Sequence, residues 1–397
     1  MTASARPVLA PTLRLDQVFA PACTYNTREP HGGNPFVAED VPVSNALTGG
    51  QLAIAGRLQV MCHRSVAGER VLELVRRAGF AIDARLELYG DRAEYQALLA
   101  GKAARSVVFQ HAHPADRVDP GIYWIPRETL VALNDKSRLA SLAPADAVPA
   151  RDLLPTRGPG AAARWAAIAP PLVVKVPSHH SLGAGEGVRL CRDRAGLQAA
   201  LDDFAAAAEL VAEEFVDVRD SWCVQFACLP DGAARYLGSA EQLVDDCGRY
   251  WGNWITACPP DAVVELGREV AQRGSAAGYR GIAGFDIAAC RDGRLLVLDC
   301  NFRINGSTLG LLCLPALEAL PDAAEVQLRS FRDSRGWASL VRTLEPLVRE
   351  GRVLPFAGYD PDADHGGGAA RASVLVAGPT RQEVGRVVDG LLACGLA

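Results

Sequence analysis

Lysine is nearly absent from this chain of 397 residues. Of its 41 basic residues only three are lysine, namely Lys102, Lys136 and Lys175, and the other 38 are arginine. Lysine is normally among the commonest residues. Since both side chains supply surface charge, the skew is attributed to the base composition of the genome. The few positions that keep lysine are therefore candidates for a specific function.

Other absences exclude whole classes of protein. The net charge is −5, and a nucleic-acid or anionic-membrane surface needs a basic footprint, so neither partner is expected. No run of about 18 apolar residues is present, which predicts no membrane span. Residues 1–15 lack a basic segment followed by an apolar one, which predicts no secretory signal. We therefore expect a cytoplasmic protein.

The 11 cysteines contain no C-x-x-C pair, and their number is odd. Their irregular spacing does not fit a structural zinc site. Many lie in apolar runs, which is typical of buried free thiols in a reducing compartment.

Alternating strand and helix patterns predict an α/β domain from about residue 18 to 130. Strands are expected at 57–62 and 106–110, with helices at 66–79 and 92–100 between them, which implies a parallel sheet. A segment rich in Pro, Ala and Arg at about 143–171 is expected to be a loop-rich linker.

A hairpin at 281–302 is the clearest local feature, because an Asp-Gly pair separates two apolar strands. If Asp292-Gly293 is a two-residue loop, Asp286 lies directly opposite Asp299 and Asn301 shares their face. Like charges in that position destabilise a sheet, whereas a divalent cation between these oxygen ligands would explain them. The alternative is that one aspartate faces solvent or that a bulge breaks the register, and spacing alone does not decide.

Polar residues follow the hairpin directly. Arg303 offers a planar donor fork for phosphate or carboxylate, and Gly306 allows a close backbone approach to a ligand. Asn305 and Ser307 add an amide and a hydroxyl. A surface loop would also be polar, but such a loop seldom follows paired carboxylates.

Lys175 interrupts an apolar run and precedes a glycine-rich turn with Gly183, Gly185 and Gly187. Backbone N–H groups of such a turn can bind phosphate, and a nearby lysine adds charge. The turn is neither a Walker A loop nor a G-x-G-x-x-G fingerprint. A structural turn and a phosphate site are both compatible with it. Lys136 taken alone is read as a solvated lysine at a helix start.

Taken together and in order, these elements resemble the ATP-grasp fold over about residues 131–313. The matching segments are N-D-K at Lys136, V-V-K at Lys175, S-L-G-A-G-E-G at 181–187, A-E-E-F-V at 212–216, G-F-D at Asp286 and L-D-C-N-F-R at 298–303. The H-G-G-N segment at 31–34 and the N-F-R-I-N-G-S-T segment at 301–308 also resemble pheganomycin-type peptide ligases with a pre-ATP-grasp domain.

The resemblance implies an α/β (α+β) protein in three parts: a Rossmann-like pre-ATP-grasp domain at 1–130, an ATP-grasp core of two α+β subdomains at 131–320, and a C-terminal extension at 321–397. It also implies the site residues. Catalytic roles fall to Arg303, Lys175 and Asn305; ATP binding falls to Lys136, Lys175, Gly183, Gly185, Gly187, Glu213, Glu214 and Val216; Mg²⁺ binding falls to Asp286, Asp299 and Asn301.

The implied activity is an ATP-dependent carboxylate–amine ligase that works through an acyl-phosphate on amino acids or short peptides, in specialised metabolism. The implied cofactors are ATP and one or two Mg²⁺ ions, with Mn²⁺ as a substitute, and a homodimer is compatible with the resemblance. The alternatives are an ATP-grasp kinase, a carboxylase-like enzyme, a non-catalytic nucleotide-binding protein and a Rossmann oxidoreductase. Residues 249–254, which hold three aromatics, either line the acceptor pocket or belong to the core.

Overall fold

The computed structural model describes residues 8–29, 40–177, 187–363 and 368–397. Within these ranges the strands form three sheets. No helix in the described part of the chain has both the length and the apolar character needed to cross a membrane.

The first sheet is parallel and has the strand order β3-β2-β1-β4. Its strands are β1 (Thr24–Asn26), β2 (Gln59–His63), β3 (Arg85–Tyr89) and β4 (Val107–Phe109). The helices around it are α1 (Leu15–Val18), α2 (Val41–Ala46), α3 (Glu69–Arg77) and α4 (Arg92–Ala100). The predicted alternation of strands and helices and the parallel sheet are thereby confirmed.

The second sheet is antiparallel, with the order β5-β8-β6-β7. Its strands are β5 (Arg151–Pro155), β6 (Leu172–Lys175), β7 (Val188–Cys191) and β8 (Glu209–Glu214). The helices before and within it are α5 (Arg127–Asn134), α6 (Leu139–Leu142), α7 (Ala161–Ala167) and α8 (Arg194–Asp203).

The prediction of a loop-rich linker at 143–171 is wrong, because this segment contains β5 and α7. Strand β5 lies at the sheet edge against β8 and buries only Leu154. A short edge strand of this kind can carry charged residues and a proline, so its sequence resembles that of a loop.

The third sheet has eight antiparallel strands in the order β13-β12-β9-β10-β11-β14-β16-β15. They are β9 (Val218–Cys228), β10 (Ala234–Val244), β11 (Tyr250–Trp254), β12 (Gly281–Cys290), β13 (Leu295–Asn301), β14 (Glu325–Asp333), β15 (Val353–Tyr359) and β16 (Ala370–Gly378). The last three strands extend the same sheet that holds the hairpin. The helices of this region are α9 (Asp261–Ala276), α10 (Thr308–Leu312), α11 (Leu314–Glu318), α12 (Trp337–Glu350) and α13 (Arg381–Ala393).

All 11 cysteines lie among the described residues, and none of them is in a disulfide. Eight thiols are buried, and Cys247, Cys258 and Cys394 are exposed. Burial raises the pKa of the Cys62 thiol to about 12, which is the behaviour of an inert core thiol.

Helix α9 lies very close to the end of the hairpin because Gly274 has no side chain. A Cβ at this position would lie 2.1 Å from the Phe302 ring, which is fully buried beside the predicted metal ligands. We expect Gly274→Ala to lower the free energy of unfolding by about 1–3 kcal/mol through overpacking. Urea denaturation would measure it.

Gly390→Ala is the matched control, since no atom lies within 4 Å of a Cβ placed there in helix α13. This variant is expected to gain up to about 1 kcal/mol from helix propensity. Equal stability changes in the two variants would contradict the close approach of α9.

Candidate active site

The two predicted acids lie opposite each other on the hairpin. Asp286 of β12 pairs with Asp299 of β13, which confirms the predicted pairing. The turn holds three residues rather than two, because the Cys290 N–H donates to the Arg294 carbonyl at 2.9 Å. A β-bulge at Leu298 offsets the extra turn residue. The extra turn residue shifts the pairing of the two strands by one residue, and the bulge shifts it back. Asp286 therefore still pairs with Asp299.

Asp286 receives hydrogen bonds from two amides. Gln242 Nε2 donates to Asp286 Oδ1 at 3.0 Å, and Asn301 Nδ2 donates to Oδ2 at 3.4 Å. Burial and the charge of Asp299 raise the pKa of Asp286 to about 7. A positive charge added beside this carboxyl would therefore stabilise its ionised form.

Asp299 is held by a cation. It forms an ion pair with Lys136 and accepts a hydrogen bond from the Cys300 backbone N–H at 3.0 Å. Burial opposes its charge, but Lys136, Lys175 and Arg303 outweigh burial and keep the pKa of Asp299 below its usual value.

Lys175 is only 6% exposed at the end of β6. Its Nζ lies 2.5 Å from Glu213 Oε1 and donates to the Leu298 carbonyl at 2.9 Å. Leu298 is the bulge residue of β13, so the irregularity provides the carbonyl that Lys175 binds. A buried ammonium needs such partners.

Lys136 follows α5 in a short turn in which the Asp135 carboxylate accepts from the Ser137 N–H at 2.9 Å. The Arg151 guanidinium joins the two lysine sites. It donates to the Lys136 carbonyl at 2.8 Å and forms an ion pair with Glu213. Lys136 is thus held beside the acids and is only 13% exposed in its side chain, unlike a solvated lysine.

The predicted adenine hinge connects β8 and β9. The Glu213 carboxylate is committed to Lys175 and Arg151. The Glu214 carboxylate binds Arg294 at 2.7 Å, which also lowers the pKa of Glu214. Because both carboxylates are held in these ion pairs, an adenine in the hinge would contact mainly backbone groups and side chains such as Val216.

The segment after the hairpin folds back over β12. Asn305 Nδ2 donates to the Arg303 carbonyl at 2.8 Å, and Arg303 Nη1 donates to Asn305 Oδ1 at 3.4 Å. A Cβ at Gly284 would lie 2.4 Å from the Asn305 amide nitrogen, so any larger residue there would displace the Asn305 side chain. Ser307 is buried and accepts from Gln225 Nε2 at 2.8 Å.

These groups surround one cavity of about 740 Å³. The predicted site residues that line it are Lys136, Lys175, Gly187, Glu213, Glu214, Val216, Asp286, Asp299, Asn301, Arg303 and Asn305. Gly183, Gly185 and the H-G-G-N segment lie outside the described residues.

The aromatic segment at 249–254 divides between the two alternatives. Tyr250 and Asn253 line the cavity, and the Tyr250 hydroxyl donates to Asn253 Oδ1. Trp254 is buried in the core, and Trp251 is 39% exposed against the Arg329 guanidinium.

The donor set fits a hard divalent cation. The two carboxylates and the side-chain amide of Asn301 converge here, with Asn301 Nδ2 on Asp286. Among the described residues no group of three His, Cys, Asp or Glu side chains could hold a metal ion. Mg²⁺ is commonly bound by one or two carboxylates together with substrate phosphates.

Two family models match the chain. A model for the L-aspartate–L-methionine ligase N-terminal domain matches residues 14–131, and a model for the ATP-grasp domain of the same ligase matches residues 156–301. The chain belongs to the ATP-grasp superfamily. It is an ADP-forming amino acid ligase, as the sequence predicted.

Solved ATP-grasp structures share its fold over nearly the whole chain. An L-amino acid ligase from Bacillus licheniformis is 15% identical, with a TM-score of 0.54 and coverage of 96% of this chain and 99% of the other. An N5-carboxyaminoimidazole synthetase from Staphylococcus aureus, complexed with ADP, is 11% identical, with a TM-score of 0.58 and the same coverage.

The sequence analysis missed two residues of this ligase that hold cavity-lining groups in place. Arg151 lies in the segment that was interpreted as a linker. Gln242 lies on β10, whose mixture of polar and apolar residues does not show the alternation typical of a strand. Lys102, the third lysine, is not among the residues that line the cavity. It is partly buried, and its Nζ lies 2.5 Å from Glu87 of the first sheet.

Proposed function

We propose that this ligase joins two amino acids, or an amino acid and a short peptide, by activating one carboxylate as an acyl-phosphate. The observation that carries the proposal is the convergence of Lys136, Lys175 and Arg303 on the acid pair in one cavity. Cations beside paired carboxylates suit a metal-bound triphosphate, which needs charge neutralisation above all.

The nucleotide lies between the second and third sheets in this proposal. Backbone groups of the hinge at 214–216 receive adenine, and Lys136 and Lys175 bind the phosphates. Each lysine then gives up part of its present ion pairing to Asp299 or Glu213. Only Gly187 of the glycine-rich turn is described, and it lines the cavity; the exclusion of water from the γ-phosphate by this turn stays a prediction.

Asp286, Asp299 and Asn301 would hold one or two Mg²⁺ ions, or Mn²⁺ in their place. The metal supplies charge neutralisation at the phosphate oxygens when it is bound. Gln242 and Lys136 orient the two carboxylates through the contacts described above.

Two bond exchanges complete the reaction. A carboxylate oxygen of the donor bonds to the γ-phosphorus, and the bond from that phosphorus to the β–γ bridging oxygen breaks to release ADP. The acceptor nitrogen then bonds to the acyl carbon, phosphate leaves, and the nitrogen loses a proton. Arg303 binds a phosphoryl or carboxylate anion beside the reacting atoms, and its hydrogen bond to Asn305 Oδ1 holds the guanidinium in position.

L-Aspartate and L-methionine are the first substrates to examine, because the matching family models carry that description. The division into domains at 1–130, 131–320 and 321–397, a cytoplasmic location, a homodimer and a role in specialised metabolism stay predictions.

The test measures ADP release with ATP, Mg²⁺ and amino acid pairs, beginning with L-aspartate and L-methionine. Each amino acid is also tested alone with hydroxylamine, which captures an acyl-phosphate as a hydroxamate. We expect ADP release that depends on both amino acids, and a hydroxamate from one of them. That amino acid is the donor. ADP release without an amino acid, and no hydroxamate from any acid tested, would favour a kinase or carboxylase-like reaction.

A further inference from the structure

The Tyr250 hydroxyl lies in the cavity with its proton already engaged. It donates to Asn253 Oδ1. Asn253 is only 1% exposed, and its Nδ2 donates to the Glu241 carbonyl at 3.3 Å, which fixes the orientation of the amide. Removal from water raises the pKa of Tyr250 above its usual value, so the hydroxyl keeps the proton that it donates. The oxygen of this hydroxyl is therefore left as a hydrogen-bond acceptor.

Gly306 keeps the space in front of this oxygen open. A Cβ at Gly306 would lie 3.3 Å from the Tyr250 hydroxyl oxygen. Apart from the residues next to Gly306 in the chain, the described residues place no atom but Tyr250 Oη and Cζ within 4 Å of that Cβ. Gly306 also lines the cavity. A ligand atom that enters above Gly306 would therefore come close to hydrogen-bond distance of the Tyr250 oxygen.

The amide oxygens at this end of the cavity already accept hydrogen bonds from the protein. Gln242 Oε1 accepts from the Ser221 hydroxyl at 2.6 Å. Asn305 Oδ1 accepts from Arg303 Nη1 at 3.4 Å. The Tyr250 oxygen differs from both, because no group of the described residues donates to it.

An open acceptor of this kind suits an N–H donor. The cations of the cavity, Lys136, Lys175 and Arg303, can only donate hydrogen bonds, so they cannot bind an N–H group. In the proposed reaction the acceptor amine carries N–H groups together with the lone pair that attacks the acyl carbon. A hydrogen bond from one N–H to a fixed oxygen would orient that lone pair before the attack.

We propose that Tyr250 binds the amino group of the acceptor amino acid above Gly306, by accepting a hydrogen bond from its nitrogen. This inference rests on the proposed function and deepens it, because it names the residue that directs the nucleophile. Arg303 precedes Gly306 in the segment after β13, and both line the cavity. The amine is thus held in the same part of the cavity as the guanidinium that binds the reacting anion.

The test uses Tyr250→Phe, which removes the hydroxyl and keeps the ring. The donor is the amino acid that yields a hydroxamate with the parent enzyme, and the acceptor is the other member of the pair. We expect kcat/KM for the acceptor to fall about 10-fold, as for the loss of one hydrogen bond. The KM for ATP and the KM for the donor should stay at the parent values.

Hydroxamate formation separates this role from a structural one. It is measured at hydroxylamine concentrations where the parent rate no longer rises, so that capture of the acyl-phosphate does not limit the rate. Tyr250→Phe should keep the parent rate under these conditions, which also establishes that the variant is folded.

Gly306→Ala approaches the same contact from the other side, because its methyl group would lie 3.3 Å from the Tyr250 oxygen and block the ligand. This variant should also lower kcat/KM for the acceptor. In the double variant the two losses should not add, since both remove one contact.

Tyr236→Phe is the matched control. Tyr236 lies on β10 of the same sheet, its hydroxyl contacts Ser239 Oγ at 2.8 Å, and it is not among the residues that line the cavity. This variant should keep the parent kcat/KM for the acceptor.

Three results would overturn the inference: an unchanged kcat/KM for the acceptor in Tyr250→Phe, an equal loss in hydroxamate formation, or additive losses in the double variant. If the parent enzyme forms no hydroxamate, the proposed function itself fails, so the two failures are distinguishable.

Discussion

Replacing Asp299 by asparagine is expected to abolish ADP formation, with kcat reduced about 10³-fold or more. Asp299 is the acid that remains a carboxylate in the cluster, because Lys136, Lys175 and Arg303 outweigh its burial. The amide keeps the size of the side chain but removes the charge that a divalent cation would bind. It also leaves the Lys136 ammonium without its ion-pair partner. The measurement is ADP release at saturating ATP across a Mg²⁺ titration.

Asp220→Asn serves as the matched control, because Asp220 lies in the same sheet on β9, on the other side of β12 from Asp299, and pairs with the exposed Arg219. This variant should keep the parent rate, since an exposed ion pair contributes little. Thermal unfolding of both variants separates loss of fold from loss of chemistry. If Asp299→Asn is folded and turns over at the parent rate, Asp299 does not belong to the metal site.

The hairpin illustrates what the sequence can predict. Its Asp-Gly turn and alternating strands are local signals, and they predicted Asp286 opposite Asp299, although the turn is one residue longer than predicted. The three-residue turn and the bulge at Leu298 were not visible, because a bulge depends on what the freed carbonyl binds, here Lys175. Local patterns thus identified the acids, whereas the detailed geometry came from a residue more than 100 positions away in the chain.

Residues whose role depends on distant partners were the ones missed. Arg151 looks like part of a linker until β5 pairs with β8 and its guanidinium meets Glu213. Gln242 becomes informative only when β10 places it 3.0 Å from Asp286. The residues next to a polar side chain on a half-exposed strand do not indicate whether it makes such a contact.

The scarcity of lysine leads to the second large effect. We expect Lys175→Arg and Lys136→Arg each to lower kcat/KM for ATP about 100-fold or more. Lys175 is almost fully buried, and its ammonium fits between Glu213 Oε1 at 2.5 Å and the Leu298 carbonyl at 2.9 Å. The larger, planar guanidinium cannot occupy that space without displacing the bulge beside the acids.

Lys136→Arg should act through Asp299, because the longer side chain would move the guanidinium relative to the carboxylate that it now neutralises. Both variants keep the positive charge, so a loss of ATP use would reflect the shape of the cation rather than its charge. The measurement is the rate of ADP release as a function of ATP concentration.

Lys102→Arg is the internal control, since it makes the same exchange beside the parallel sheet, at a residue that does not line the cavity. Its ammonium contacts Glu87 at 2.5 Å and Thr24 Oγ1 at 3.0 Å, so a small change in stability is expected, and ATP kinetics should not change. Lysine would then have been kept at positions 136 and 175, despite the preference for arginine elsewhere, because the larger guanidinium does not fit there. Parent kinetics in all three variants would instead mean that composition alone explains where lysine remains.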